Sequence, residues 1–365
     1  MGLKLRNLRR AGVLFVGRPA VERWKAFTRV FLMGDFADWS IADDIRELKR
    51  ICRALKIPTP HPRWIPVSDR QVLYYGSHYS CFNVLSKETT NRLATSYFHG
   101  IPGRGNVEFD ESYRTLCRHH ERLSKVRVTN RAMMELVLES GIDPEKVSLI
   151  PIGVNLKHYS VQTPESRRAA RARWRIPQDA AVVGSFQKDG VGWGYGLTPK
   201  LVKGPDVFLD AIEMLRTRVP ELFVVLSGPA RGYVTSGLER LGVPYKHFLL
   251  PDVESVGRLY PTLDAYLISS RDEGGPKGVL ESMASGIPLV TTIVGQARDL
   301  VRHGENGWLV ELEDPTGLAQ WTEYVLMNRR HLDGCVTNAR TTAEEHAYER
   351  QTLEWERFFE GLVLK

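Results

Sequence analysis

Short apolar segments alternate with amphipathic segments throughout the second half of the chain. Five of the apolar segments have the length of a β-strand, at residues 181–186, 222–228, 264–270, 288–294 and 307–312. The segments between them have helical periodicity and begin near Pro205, Gly232, Pro276 and Gln296. Apolar strands separated by helices are typical of a parallel sheet that is covered on both faces. The pattern therefore predicts a doubly wound α/β domain.

The first half shows the same alternation less regularly. Its strand-like segments are residues 11–16, 71–77, 95–100, 125–130 and 147–153, and a helix is predicted to start at Ser40. Because 365 residues exceed what one core usually organises, we expect two domains. The expected domains are residues 1–160 and 175–340, with the change where the chain turns polar between Tyr159 and Pro177. Residues 341–365 are predicted to form a C-terminal helix, centred on 342–359, that packs back toward the first domain.

The distribution of charge differs between the two halves. Residues 1–150 contain 25 Lys and Arg against 16 Asp and Glu, whereas the remainder has 25 against 27. An anionic acceptor or peripheral contact with an anionic membrane would suit the first half, and a solvated basic face suits it equally. No apolar run is long enough to cross a bilayer, and the four cysteines lack metal or redox spacing. We expect a cytoplasmic protein without a nucleic-acid partner, and peripheral contact with the inner face of the membrane is an open alternative.

The loop after residues 264–270 is the most informative segment for function. Open parallel sheets bind ligands beyond the carboxyl ends of their strands. Here Gly274 and Gly275 allow close approach of the backbone, and Pro276 suits the start of a helix whose N-terminus attracts an anion such as a diphosphate. Glu273 and Glu281 flank this turn and can reach different parts of one bound molecule, although two surface glutamates are the simpler alternative.

The flanking residues extend this pattern into a family resemblance. The string Ser270, Arg271, Glu273, Gly274, Leu280, Glu281, Met283, Ala284, Gly286, Pro288 and Gly295, followed by GENGWLV, resembles the signature of retaining glycosyltransferases of family 4, group 1 type. The similarity extends from Lys146 to the C-terminus and includes the pair of glutamates separated by seven residues. It implies the GT-B fold, in which two Rossmann-like doubly wound domains face each other across a cleft.

The resemblance also assigns roles to individual residues. It implies catalytic roles for Glu273, Lys203 and His99, and it implies donor binding by Lys188, Gly274, Gly275, Lys277, Gly278, Glu281 and Gly17. Arginine is usual where Lys188 stands, the loop after it is longer than usual, and the segment around Gly17 matches only in the glycine. A structural histidine at position 99 and solvated lysines at positions 188 and 203 remain the alternatives.

The implied reaction is transfer of a sugar from a nucleotide diphosphate sugar, the co-substrate, to an acceptor with retention at the anomeric carbon. The resemblance implies no metal and no further cofactor. Family habit suggests a cell-envelope polysaccharide, glycolipid or lipid-linked sugar as acceptor. Two alternatives stay open: a nucleotide-sugar 2-epimerase of the same architecture, against which the glutamate spacing argues, and a non-catalytic nucleotide-sugar-binding relative.

Overall fold

The computed structural model describes residues 28–34, 40–67 and 69–363, and the chain divides into two compact units. Residues up to Pro151 and from Tyr348 onward form unit 1, and Ile152–Ala347 form unit 2. The boundary thus precedes the polar segment in which the sequence predicts it. Val154 and Tyr159 are buried in a core of unit 2, which explains why residues before 160 belong to that unit.

Unit 1 contains a parallel sheet in the order β1-β2-β3-β4-β5 within the described residues. Its strands are β1 (Val30–Met33), β2 (Val72–Tyr75), β3 (Arg92–Tyr97), β4 (Leu123–Val128) and β5 (Val147–Leu149). Its helices are α1 (Ser40–Ala54), α2 (His78–Leu85), α3 (Val107–His119) and α4 (Arg131–Glu139). The sequence predicts β2 to β5 but misses β1, and its first strand at residues 11–16 lies outside the described residues.

Unit 2 contains a parallel sheet in the order β11-β10-β9-β6-β7-β8. Its first helix is α5 (Pro164–Trp174). The strands are β6 (Ala181–Phe186), β7 (Leu222–Ser227), β8 (Tyr245–Phe248), β9 (Ala265–Ile268), β10 (Leu289–Thr292) and β11 (Trp308–Val310). The further helices are α6 (Pro205–Arg216), α7 (Gly232–Leu241), α8 (Val253–Gly257), α9 (Lys277–Ala284), α10 (Ala297–Leu300), α11 (Pro315–Asn328) and α12 (Asp333–Glu345).

The strand order of unit 2 reverses between β6 and β9. The chain proceeds outward from β6 through β7 to β8, returns to place β9 beside β6, and continues in the other direction. This order makes the unit a doubly wound domain whose switch point lies between these two strands. Alternate strand residues enter opposite cores: Tyr266 and Ile268 pack on one face and Ala265 and Leu267 on the other. Helices cover both faces, as the apolar strands predict.

Two parts of unit 2 differ from the sequence interpretation. The sequence misses β8, whose residues are half-buried or exposed and so lack the apolar character of the other strands. The polar segment predicted as the domain change contains α5, whose Arg171 is fully buried and pairs with Asp264 at 2.6 Å. A charged segment is therefore an integral helix of this unit, because its buried arginine has a buried carboxylate as partner.

The C-terminal segment forms two helices and not the single helix predicted over 342–359. After α12, Ala347 forms a parallel bridge with Val154, and the backbone N–H of Val154 donates to the carbonyl of His346. This pairing interrupts the helix, which resumes as α13 (Thr352–Phe359) in unit 1. There Trp355 packs edge-on against Tyr74 of β2 with ring centroids 5.6 Å apart, and the segment closes one core of unit 1.

Candidate active site

The candidate site of unit 2 lies at the carboxyl ends of β6 and β9, on both sides of the switch point. Lys188 follows β6, and the loop that contains Glu273 follows β9. Lys203 ends a short 3₁₀ turn, Leu201–Lys203, directly before α6. The topology therefore brings three predicted site residues to the position where doubly wound sheets bind their ligands.

Lys203 and Glu273 form a salt bridge in which both side chains are largely buried, at 21% and 13% exposure. Ser270 Oγ donates to the same carboxylate at 3.1 Å. Gly204 follows Lys203 with a φ of 59°, and its α-carbon lies so close to the carbonyl of Ser269 that a Cβ would overlap it. The glycine thereby lets the Lys203 turn approach the β9 loop. Two of the residues to which the resemblance assigns catalytic roles are thus direct partners.

The glycines of the β9 loop have packing partners within the protein. A Cβ on Gly275 would meet Gln296 Oε1 at 2.8 Å, and one on Gly278 would meet the ring of Tyr266 at 2.5 Å. Close approach is therefore required at both positions, but the approaching atoms belong to the protein. Gly274 is buried in this loop, and its carbonyl accepts from the backbone N–H of Gln296 at 3.2 Å.

Helix α9 presents its N-terminus to the same end of the sheet. Pro276 occupies the position before the helix, and Lys277 is its half-buried first residue. The aligned peptide dipoles give this end a partial positive charge, which favours an anion. A cationic side chain at this terminus adds to that preference.

Glu281 lies in the middle of α9 and is half-buried. Its Oε2 accepts from Tyr260 OH at 2.9 Å. Tyr260 is fully buried among aromatic rings, with Phe186 at 4.9 Å and Tyr266 at 5.3 Å between centroids. A rigid phenol therefore orients the carboxylate. Neither Tyr260 nor its role is predicted from the sequence, because the two residues are distant along the chain.

Lys188 has a different environment from Lys203. Its Nζ lies 4.2 Å from the centroid of the Trp193 ring, a cation–π contact. Burial, and secondarily the positive charge of Lys203, lower the pKa of Lys188 below its ordinary value. The positive charge of Lys203 thus acts on Lys188 in the same direction as burial.

The hairpin loop, residues 189–200, follows Lys188. Gly190 pairs with Pro199 in an antiparallel bridge, and the N–H of Val191 donates to the carbonyl of Thr198 at 2.9 Å. The aromatic side chains Trp193 and Tyr195 are 59% and 63% exposed. The base of the loop is thus hydrogen-bonded while its aromatic residues face solvent.

Asp189 and Arg231 form a buried ion pair next to these lysines, and the sequence analysis does not identify it. Arg231 Nε lies 3.0 Å from Asp189 Oδ1, and both side chains are at most 1% exposed. Burial raises the pKa of Asp189 although the charge of Arg231 opposes that shift. Two features of the sequence could have indicated this pair: an acidic residue directly after Lys188 and an arginine in the turn after β7.

His99 belongs to unit 1, where it follows β3 and is half-buried. Its ring centroid lies 4.7 Å from that of Phe98, 5.2 Å from Phe109 and 5.7 Å from Tyr79. The histidine is therefore held by aromatic packing at the carboxyl end of its strand. Gly17, the remaining predicted site residue, lies outside the described residues.

The comparisons with known proteins concern the same part of the chain. Residues 198–342, which include Lys203, Glu273 and α9, match the model of the family described as glycosyl transferases group 1. Residues 198–342 are thus similar to group 1 glycosyltransferases. The matched region corresponds to most of unit 2 and contains Lys203, Glu273 and Glu281, whereas Lys188 and residues 189–197 of the hairpin loop precede it.

Two curated relatives have the same name. The chain is 31% identical over 248 residues to the D-inositol 3-phosphate glycosyltransferase of Geodermatophilus obscurus, covering 63% of this chain and 49% of that protein. It is 31% identical over 246 residues to the protein of that name from a Nocardioides species, covering 60% and 50%. The chain thus spans about half the length of these relatives.

Solved structures share the two-domain fold. HepE from Anabaena, solved in complex with UDP and glucose, superimposes with a TM-score of 0.74 at 16% identity, covering 92% of this chain and 100% of that chain. Sucrose-phosphate synthase from Thermosynechococcus elongatus gives 0.64 at 18% identity, covering 80% and 73%. The chain therefore has the GT-B fold, with one Rossmann-like parallel sheet in each unit.

Among the residues that the structure describes, no helix is both long enough and apolar enough to span a membrane.

Proposed function

We propose that this protein is a retaining, metal-independent glycosyltransferase that moves a sugar from a nucleotide diphosphate sugar to an acceptor. The observation that carries the proposal is the meeting of Lys203, Glu273 and the N-terminus of α9 at the switch point of unit 2. Cations and a helix N-terminus suit a diphosphate, and a neighbouring carboxylate suits sugar hydroxyls.

The proposed roles follow from the positions of the side chains. The diphosphate binds between Lys203, Lys188 and the start of α9, with Gly274 and Lys277 beside it. Glu281, oriented by Tyr260, accepts hydrogen bonds from the ribose hydroxyls. When the diphosphate attracts the ammonium group of Lys203, Glu273 gains capacity to accept hydroxyl groups of the sugar.

The chemistry that we propose needs no covalent nucleophile. Cleavage of the bond between the anomeric carbon and the diphosphate leaves increasing negative charge on the departing oxygen. Fixed positive charges stabilise that oxygen more in the transition state than in the ground state. The acceptor hydroxyl enters on the face that the diphosphate leaves, and the diphosphate oxygen takes the acceptor proton. This order of events gives retention.

Unit 1 is the proposed acceptor domain, and His99 keeps the catalytic role that the family resemblance implies. The basic excess of residues 1–150 suits an anionic acceptor or an anionic membrane surface. Both relatives described above are named for D-inositol 3-phosphate, so a phosphorylated polyol joins cell-envelope polysaccharides and lipid-linked sugars among the acceptor candidates. Peripheral contact at the inner face of a membrane remains part of this proposal.

The decisive experiment measures transfer with purified protein. Thermal unfolding is followed with UDP-, GDP-, ADP- and dTDP-sugars, and a donor that raises Tm is then incubated with inositol 3-phosphate and with membrane extracts as acceptors. NMR of the product reports the anomeric configuration, and a parallel reaction with EDTA tests the need for a divalent cation. Protection by no donor would overturn the proposal, and an inverted product or EDTA sensitivity would overturn its mechanism.

A further inference from the structure

The guanidinium group of Arg231 is buried at the carboxyl ends of β6 and β7. Its Nη1 donates to the carbonyls of Ser185 at 2.7 Å, Gln187 at 2.9 Å and Ser227 at 3.1 Å. Its Nε lies 3.0 Å from Asp189 Oδ1. Arg231 therefore contacts the residues on both sides of Lys188, so one side chain fixes the backbone from which that lysine extends.

The same network includes Lys203. The carbonyl of Asp189 accepts from the N–H of Lys200 at 2.7 Å, and the carbonyl of Lys200 accepts from the N–H of Lys203 at 2.8 Å. Gln187 Nε2 donates to the carbonyl of Lys203 at 3.2 Å. The backbones of Lys188 and Lys203 are thus joined to one buried ion pair through short hydrogen-bonded connections.

Backbone conformation directs Arg231 inward. Ala230, the preceding residue, has a φ of 54°, in the left-handed region that side-chain-bearing residues adopt only at a cost in free energy. A buried charge also carries a desolvation cost that an ordinary turn would avoid by using an exposed residue. Ala230 and Arg231 carry these two free-energy costs at a position that connects β6, β7 and the hairpin loop.

We propose that Arg231 and Asp189 are positioning residues for donor binding: the pair holds Lys188 and Lys203 at the separation that a diphosphate requires. The inference rests on the proposed function, since it concerns the two lysines assigned to the donor diphosphate. Neither residue of the pair contacts the donor, and both act through the lysines. Disrupting the pair should therefore lower the affinity for the diphosphate group and leave recognition of the nucleoside intact.

Asp189→Asn is the test variant, and Asp264→Asn is its matched control. Asp264 pairs with the fully buried Arg171 in the same unit, but it precedes β9 and so lies at the amino end of the sheet. Both substitutions neutralise a carboxylate that pairs with a fully buried arginine; Asp264 also pairs with Arg167 and Arg329, so its substitution should cost at least as much stability. A general loss of stability should affect both variants, whereas positioning of the lysines should affect only Asp189→Asn.

The measurement is calorimetric binding of UDP, GDP, ADP and dTDP, each compared with its monophosphate. Asp189→Asn should weaken binding of the diphosphate that wild type binds by about tenfold or more. That is the typical effect of losing a hydrogen bond between a charged lysine and the diphosphate. Its affinity for the monophosphate should change less, and Asp264→Asn should match wild type in both. Addition of Lys188→Ala to Asp189→Asn should cost less than Lys188→Ala costs wild type, because the two substitutions remove one interaction.

The outcomes separate the two proposals. Failure of wild type to bind any diphosphate would refute the proposed function. If wild type binds a diphosphate, two results would refute the positioning role. One is that Asp189→Asn loses equal affinity for the diphosphate and the monophosphate, and the other is that both Asn variants lose equal affinity. If Asp189→Asn does not fold, Arg231→Lys takes its place, because it keeps the positive charge and removes the multiple carbonyl contacts. The same selective loss for the diphosphate is then expected.

Discussion

Because His78 is buried, we predict how the free energy of unfolding changes with pH. His78 is the first residue of α2 and is fully buried. Its ring stacks on Tyr97 with centroids 4.1 Å apart and lies 4.0 Å from the ring of Tyr79. Desolvation by this aromatic environment lowers the pKa of His78 from 6.5 to about 3. The folded protein therefore keeps this imidazole neutral under conditions in which the unfolded chain protonates it.

The sign and size of the effect follow from linkage. Below about pH 6.5 the unfolded state binds a proton at His78 that the folded state does not bind until about pH 3, so unfolding becomes easier as pH falls. The contribution is fully present above pH 6.5 and is lost progressively between these two values. At about 1.4 kcal/mol per pH unit, lowering the pH from 7 to 5 should cost about 2 kcal/mol. For a unit of this size, that corresponds to a decrease in Tm of roughly 4–8 °C.

The assay compares the Tm of wild type and His78→Phe as a function of pH. Phenylalanine cannot take up a proton, so the difference between the two curves isolates the histidine from other titrating groups. His61→Gln, at an exposed position in the same unit, is the control and should follow wild type. Parallel curves for wild type and His78→Phe between pH 7 and 5 would refute the reasoning.

Three further predictions concern the donor site. Lys203→Ala should lower turnover at saturating donor roughly a hundredfold; the protein should still fold, with a lower Tm because the largely buried Glu273 loses its cationic partner. Kinetics and melting curves test both, and normal turnover would remove Lys203 from the site. Glu281→Ala should weaken calorimetric nucleotide binding more than tenfold, and Tyr260→Phe should weaken it less, because it removes only the orienting hydroxyl; equal affinity in Glu281→Ala and wild type would exclude the ribose contact. The hairpin loop should be cleaved more slowly by protease when nucleotide is bound, and equal cleavage rates would show that it is not a lid.

The sequence predicts unit 2 better than unit 1 for a physical reason. Strands buried on both faces, such as β6 and β7, form continuous apolar runs bounded by turns. Such runs can be recognised in a single sequence. The half-exposed β8 has no such run. The end of α12 depends on a bridge between Ala347 and Val154, which are almost the whole of unit 2 apart along the chain. Contacts of that kind leave no local pattern.

Buried ion pairs are missed for the same reason. Asp44 looks like an acidic residue that complements the dipole of α1, but its carboxylate pairs with Arg127 of β4 and accepts from Tyr348 OH at 3.0 Å. The helix dipole alone therefore does not account for Asp44, whose partners come from distant parts of unit 1. A single sequence shows which charges are present, whereas their partners depend on the sheet order that assembles them.

The glycines of the donor site show how far an inference from sequence can extend. Glycine at position 275 predicts that a bound ligand approaches the backbone closely, and Gly278 is assigned to donor binding only by the family resemblance. Which atom approaches depends on the three-dimensional packing, and here Gln296 and Tyr266 occupy the two Cβ positions. These glycines consequently set the position of α9 against the sheet. Any influence on a donor comes through where the N-terminus of that helix points.

For Lys188 and Lys203, the sequence predicts the residues themselves but not the charged and aromatic groups around them. Lys203 already has Glu273 as a partner, so a diphosphate must compete with that carboxylate for the ammonium group. Lys188 stacks on Trp193, and burial together with the charge of Lys203 lowers its pKa. An anion placed near both lysines would oppose that shift, because it stabilises their protonated forms. In the proposed donor complex, the doubly charged diphosphate therefore relieves the repulsion between the two cations, which a neutral sugar alone would not do.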